Sequence, residues 1–191
     1  GFDFSEKLLE IAKARCKGIE NVEIEQADLT QPVDSLPLVD VIVSLNAAIM
    51  PNTRARMRML RGMASRLKPG GILILNLPSV ESLLFTAFRE TEWYRRTGLT
   101  ARAAESETDI TSLTGPRRTA QGVFYRGAEP TKHYLREELI VLVRDEMNLE
   151  LIEINKMEYD WTVEFEVKKI PDWLAEPYPW DWILTARAPA A

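Results

Sequence analysis

With 191 residues, the chain is long enough for one domain with its own core and too short for a second full one. A formal net charge of -5, with 28% charged and 46% hydrophobic residues, gives no global electrostatic reason to bind nucleic acid or an anionic membrane, and leaves a small neutral or cationic substrate as a natural ligand. One cysteine, Cys16, rules out an intramolecular disulfide; with a single histidine and carboxylates lacking ligand spacing, no metal site is expected.

The opening "GFDFSEKLLEIAKA" places an acid, Asp3, after a short apolar stretch and ahead of a serine cap. Ser5 suits an N-cap, Glu6 suits the positive end of the helix dipole, and Leu8, Leu9, Ala12 and Cys16 share one side at helical spacing. Gly18 stops that helix. "VEIEQAD", residues 22–28, alternates like a strand, and "VDVIVSLN", residues 39–46, is a β-branched run that follows a turn-rich link. Pro51 and Asn52 open a second helix, with Met57, Leu60, Ala64 and Leu67 inward and Arg54, Arg58 and Arg61 toward water. "KPGG" ends it, and the unbroken apolar run "ILILNL" fits a strand covered on both faces.

Ser79 caps a third helix whose expected core face is Leu83, Leu84, Ala87 and Phe88. Residues 97–121 are poor in large apolar side chains, which predicts a long loop, a mobile lid or a disordered segment. "GVFYR" follows as a short strand. "REELIVLVRDEM" reads as a helix with Leu139, Leu142, Val143 and Met147 inward; "LELIEINKMEY" and "PWDWILTAR" read as late strands, with "WTVEFEV" a possible strand between them. Alternation of helices and strands signals an α/β layered fold. No run approaches the ~18 apolar residues of a membrane span, and no signal-peptide pattern opens the chain, so a soluble cytoplasmic protein is expected.

Two acids follow strands at the same sheet edge. A carboxylate at a strand's carboxyl end can accept hydrogen bonds from ribose hydroxyls, which suits Asp3, while Asp28 in "EQADL" could address an adenine edge; both residues are equally competent turn-formers. Asn46, at another strand end and followed by small residues, could line a ligand or could be a buried asparagine satisfied by its loop. "LKPGGILIL" is the most specific string: a helix stop, a tight turn and re-entry into a sheet.

These segments, in this order, resemble the class I S-adenosylmethionine-dependent methyltransferases over nearly the whole chain. "GFDFSEKLLEIAKAR" is similar to their second-strand acid and following helix, "VEIEQADL" to the third strand, "VDVIVSLNAAI" to the fourth and "LKPGGILIL" to the fifth. "HYLREELIVLVRDEMNLELIEI" matches the late helix and sixth strand, and "PYPWDWILTARAP" the closing strand. The resemblance implies a Rossmann-like methyltransferase fold in one domain, with a mostly parallel sheet and an antiparallel final strand. Residues 97–132 would form a variable insert over the substrate. Family members begin with a strand, a glycine-rich loop and a helix that match nothing here, so a missing unit on the order of 30 residues or less is expected.

The implied cofactor is S-adenosylmethionine and the implied reaction is methyl transfer to a small molecule. By resemblance, Asp3 would hold the ribose, Phe4 would pack near the adenine, Asp28 would address its amino edge with Leu29 close by, and Asn46 and Ala47 would line the methionine end. His133, the only histidine, is the candidate base, although a structural role ahead of its helix competes. Trp93, Tyr94, Tyr125 and Arg126 are candidate substrate-side residues, with packing as their alternative. Trp161, Trp173, Trp180 and Trp182 fit a packed sheet edge better than a cation cage. The rival functions are a nicotinamide-dependent oxidoreductase and a non-catalytic binding module of the same fold.

Overall fold

The computed structural model describes residues 1–110, 115–125 and 129–190. The elements run β1 (Phe2–Asp3), α1 (Glu6–Arg15), β2 (Glu25–Gln26), β3 (Val39–Leu45), α2 (Thr53–Ser65), β4 (Leu67–Pro78), α3 (Val80–Arg96), α4 (Ala101–Glu107) and α5 (Pro116–Thr119). There follow β5 (Val123–Tyr125), β6 (Pro130–Lys132), α6 (Arg136–Val141) continued by a π-helical turn (Leu142–Glu146), β7 (Glu150–Glu158), α7 (Trp161–Glu164) and β8 (Trp180–Arg187).

The expected caps start three helices. Ser5 accepts the amide of Leu8, Asn52 that of Ala55 and Ser79 that of Ser82, each supplying a partner for an otherwise orphaned first-turn N–H. Strands β3, β4, β8 and β7 form one sheet in that order. β3 runs parallel to β4, and β8 lies antiparallel between β4 and β7, so the final strand alone runs against the other three. β1 and β2 pair in parallel as a separate two-stranded ladder, and β5 with β6 makes a hairpin.

One face of the four-stranded sheet carries the core. Leu73, Leu75 and Leu77 of β4 and Leu184 and Ala186 of β8 pack against α2 through Leu60 and Met63, and against α6 and its π turn through Leu139 and Val143. Each such leucine removed from water contributes about 1.5–3 kcal/mol. The other face is thinner: Val41, Val43 and Leu45 of β3 are exposed, and Ile72 and Ile74, the β4 partners of Val41 and Val43, are only half-buried. "ILILNL" is therefore covered fully on one side and partly on the other. No described strand pairs with the outer edge of β3.

Several expectations need correction. The strand expected over residues 22–28 contracts to Glu25–Gln26. Residues 97–121 contain helices: Thr100 caps α4, Ala104 is fully buried, and the Thr108 hydroxyl meets that of Thr91 on α3 at 2.6 Å. "WTVEFEV" is not a strand, because Asp160 accepts the amide of Thr162 and starts α7, turning fully buried Trp161 inward. On α3, Leu84 and Phe88 face solvent while Val80, Leu83 and Thr86 are buried, and on α1 Leu8 is exposed while Leu9 is buried. Among the described residues, no helix is long and apolar enough to cross a membrane.

Candidate functional site

The carboxyl ends of β1, β2 and β3 carry three of the residues singled out above. Asp3 ends β1; its Oδ1 accepts the Ser5 amide at 2.8 Å, and its carbonyl accepts the Ala27 amide at 3.0 Å, which ties the two short strand ends together. Asp28 follows β2 in a tight turn, its Oδ1 accepting from the amide and hydroxyl of Thr30 and its Oδ2 from Gln31 Nε2 at 3.2 Å. Those bonds, led by the Thr30 hydroxyl, hold its carboxyl below the usual carboxylate range, so it stays ionised. Both acids thus act as turn-formers while standing at one edge.

Phe4, next to Asp3 in the chain, is 76% exposed and offers an apolar surface to solvent. Leu29 instead turns inward against the main core. An exposed ring and acceptor carboxylates at strand ends are the chemistry that a nucleoside such as that of S-adenosylmethionine needs.

Asn46 ends β3 with φ 48°, a left-handed conformation that asparagine tolerates better than most residues and that concentrates at ligand sites. Its amide N–H donates to the Asn76 carbonyl at 3.0 Å, and its side-chain Nδ2 reaches Asp181 Oδ2 at 3.5 Å. Asn46 and Ala47 are exposed, whereas Ala48 is fully buried and its carbonyl accepts the Tyr134 hydroxyl. The Ile49 carbonyl accepts the Lys132 amide at 2.8 Å, so the segment after β3 is fastened to the strand leading to His133.

A cavity of about 200 Å³ opens where β4 turns into α3, lined by Pro78, Ser79, His133, Tyr159, Glu164 and Asp181 among others. His133 is buried there. Its backbone N–H donates to the Gly122 carbonyl at 2.7 Å, its ring stands edge-on to Phe124, and its Nδ1 lies 3.2 Å from the Thr131 carbonyl. A carbonyl can only accept, so that contact puts the proton on Nδ1 and makes Nε2 the basic nitrogen. The Tyr159 hydroxyl donates to Glu164 at 3.0 Å. Burial pushes the Asp181 carboxyl pKa up, against the side-chain amides of Asn46 and Asn76, which pull it down.

The structure thus gathers His133 and, through Asp181, Asn46 around one cavity. It does not gather the aromatic candidates there. Trp93 packs edge-on against Phe165 at 5.0 Å, the Tyr94 carbonyl accepts the Leu99 amide, and the Tyr125 hydroxyl accepts from Arg118; none of the three lines the cavity. Arg126 lies outside the described residues. Trp161 stacks on Phe165, Trp173 lies under the guanidinium of Arg96 at 4.2 Å, and Trp180 lies under Lys156 at 3.6 Å, so these rings already meet cations or rings of the same chain.

Two contributors went unnoticed in the sequence. Asp181 lies 135 residues from Asn46, inside a run that signals only a strand. Gly122 has φ +68°, and a Cβ there would stand 2.5 Å from the His133 carbonyl, so only glycine lets the hairpin pass so close; its "QG" turn signal was the one available cue. Among the described residues, no group of three or more His, Cys, Asp or Glu side chains could hold a metal ion.

The methyltransferase-domain family model matches residues 1–71. Among solved structures, a SAM-dependent methyltransferase from Methanosarcina mazei superposes with a TM-score of 0.63 at 15% identity, over 100% of this chain and 82% of that one. The N-methyltransferase NodS from Bradyrhizobium japonicum, in complex with S-adenosyl-L-homocysteine, gives 0.53 at 13% identity over 98% of this chain and 65% of its own. Magnesium protoporphyrin IX methyltransferase from Synechocystis, also with bound S-adenosylhomocysteine (SAH), gives 0.55 at 14%, over 98% of this chain and 63% of that one. No curated protein matches the sequence. Residues 1–71 match the methyltransferase-domain family model in sequence, and the whole chain shares the Rossmann-like fold of these methyltransferase structures.

Proposed function

We propose that the protein transfers the methyl group of S-adenosylmethionine to a small-molecule acceptor in the cytoplasm. One juxtaposition carries this reading: Asn46, directly after the carboxyl end of β3, touches Asp181 on the wall of the His133 cavity. A donor whose methionine end borders Asn46 would there meet an acceptor held in the cavity. The two neighbours crystallised with SAH support the same donor here. The single cysteine is compatible with a reducing compartment.

The donor supplies a methyl group on a positively charged sulfur, a leaving group that needs no further activation. The chain's residues therefore have to bind, align and exclude water. In this reading Asp3 holds the ribose hydroxyls, Phe4 covers the adenine, Asp28 and the Leu29 backbone address its amino edge, and Asn46 and Ala47 border the methionine end. His133 Nε2 takes a proton where the acceptor must lose one. Trp93, Tyr94 and Tyr125 keep packing and hairpin roles.

Hydrogen exchange with and without SAH tests the assignment. Slowed exchange is expected at residues 4–5, 28–30 and 46–48; saturating SAH that protects none of these segments would refute it.

A further inference from the structure

The His133 cavity has a charge pattern that speaks to its ligand. Two carboxylates, Glu164 and Asp181, line it together with several hydroxyls, and among the described residues no lysine or arginine does. Glu164 already accepts the Tyr159 hydroxyl. Asp181 differs: its side-chain partners are the neutral amides of Asn46 and Asn76, and among the described residues it forms no ion pair. A half-buried carboxylate beside a cavity and without a counter-charge is stabilised by a cationic ligand, and burial strengthens that attraction over its value in water. An anionic ligand would meet both acids with no lysine or arginine among the described lining residues to offset the repulsion.

Two further observations limit the ligand. A volume of about 200 Å³ holds roughly seven water-sized groups, which selects a compact molecule or one arm of a larger one. Trp180, nine-tenths buried on the same wall, has an indole N–H with no hydrogen-bond partner among the described residues, so the wall is not sealed by its own contacts.

We propose that this cavity binds a small aliphatic amine as its ammonium ion, with Asp181 as the counter-ion. Binding stands on the cavity alone; the chemistry that follows rests on the methyltransferase reading. The bound ammonium gives one proton to His133 Nε2, which exposes the nitrogen lone pair. That nitrogen attacks the sulfonium methyl carbon: the C–N bond forms, the C–S bond breaks, and its electron pair stays on sulfur. The products are an N-methylammonium ion and S-adenosylhomocysteine. His133 returns its proton to solvent.

The test uses matched probes on the whole chain: n-propylamine, 1-propanol and propionate, near neutral pH, followed through the Trp180 indole N–H signal by NMR. Propylamine is expected to bind saturably and about tenfold or more tighter than either analogue. Asp181→Asn is expected to erase that preference, whereas Glu164→Gln retains most of it. Propanol or propionate binding as well as the amine overturns the proposal on the wild-type protein alone, without any variant. An amine preference that survives Asp181→Asn overturns the role of Asp181. A parallel SAH titration separates the two readings: SAH binding without amine preference refutes this inference only, and amine preference without SAH binding refutes methyl transfer while the amine site stands.

Discussion

Replacing Tyr134 by phenylalanine removes one oxygen and nothing else from the joint between the two halves of the proposed site. Tyr134 is fully buried, its hydroxyl donates to the Ala48 carbonyl, and burial pushes its pKa well up, so the donor proton persists through the alkaline range. The substitution keeps the ring's packing and leaves the Ala48 carbonyl without that donor. A net bond of about 1 kcal/mol is lost, and a buried acceptor left unsatisfied raises the cost to about 1–3 kcal/mol. Taking ~2 kcal/mol, and about 2–4 °C per kcal/mol at this chain length, Tm falls by roughly 4–8 °C.

Urea unfolding followed by tryptophan fluorescence measures this directly, with the midpoint falling and the slope unchanged. The neighbouring bond from the Lys132 amide to the Ile49 carbonyl remains, so the segment after β3 loosens without detaching. SAH affinity is therefore expected to fall by only a few-fold. A stability change below about 0.5 kcal/mol, the range of an ordinary surface substitution, would refute the claim that this bond holds Asn46 and Ala47 in place.

Other consequences follow from the same contacts. Gly122→Ala must accommodate a left-handed φ, about 1–2 kcal/mol, and a Cβ driven into the His133 carbonyl, about 1–3 kcal/mol more; thermal unfolding should show a loss of that combined size, and an unchanged Tm would mean that the hairpin relaxes freely. Leu75→Ala opens a cavity at a position 1% exposed in the main core and should cost about 2–5 kcal/mol by urea unfolding. Asp181 has a folded pKa raised by burial, so its contribution to stability is fully present below pH 3.8 and is lost as pH rises through the folded value. Asp181→Asn should therefore stabilise the ligand-free protein at pH 7, with the advantage shrinking as pH falls toward 3.8; a destabilised variant at pH 7 would contradict this sign.

Local chemistry made much of the architecture legible. Ser5, Asn52 and Ser79 each sit before a periodic apolar stretch, and an N-cap is decided by a side chain and an amide two or three residues on, so sequence order is enough. The tight turn expected at "KPGG" is instead taken into β4, where the pairing with β3 shifts register between Leu67 and Ile72. "WTVEFEV" misled because short alternation does not separate a strand from a short helix, although Asp160 was a usable cap signal. The exposed faces of α1 and α3 depend on what packs beside them, which spacing alone does not reveal.

The site divides along the same line. Asp3, Phe4, Asp28 and Asn46 lie at strand ends, where a parallel fold places ligands, and a resemblance in order of segments can point to them. The cavity wall cannot be found that way. Asp181 reaches Asn46 because Asp181 pairs with Pro78 in the antiparallel register of β8 on β4, and Asn46 lies beyond β3 on the other side of β4. His133 gains its setting from the Gly122 carbonyl and Phe124, both on an adjoining hairpin. Neither arrangement leaves a mark within a short window of sequence.

Calorimetric titration of the folded chain with S-adenosylhomocysteine, alongside Asp3→Ala, tests the central claim most directly. The account predicts one saturable site per chain, weakened about tenfold or more in the variant through the lost ribose acceptor. Absence of binding by a chain shown by circular dichroism to be folded, or equal affinity for both proteins, would contradict it.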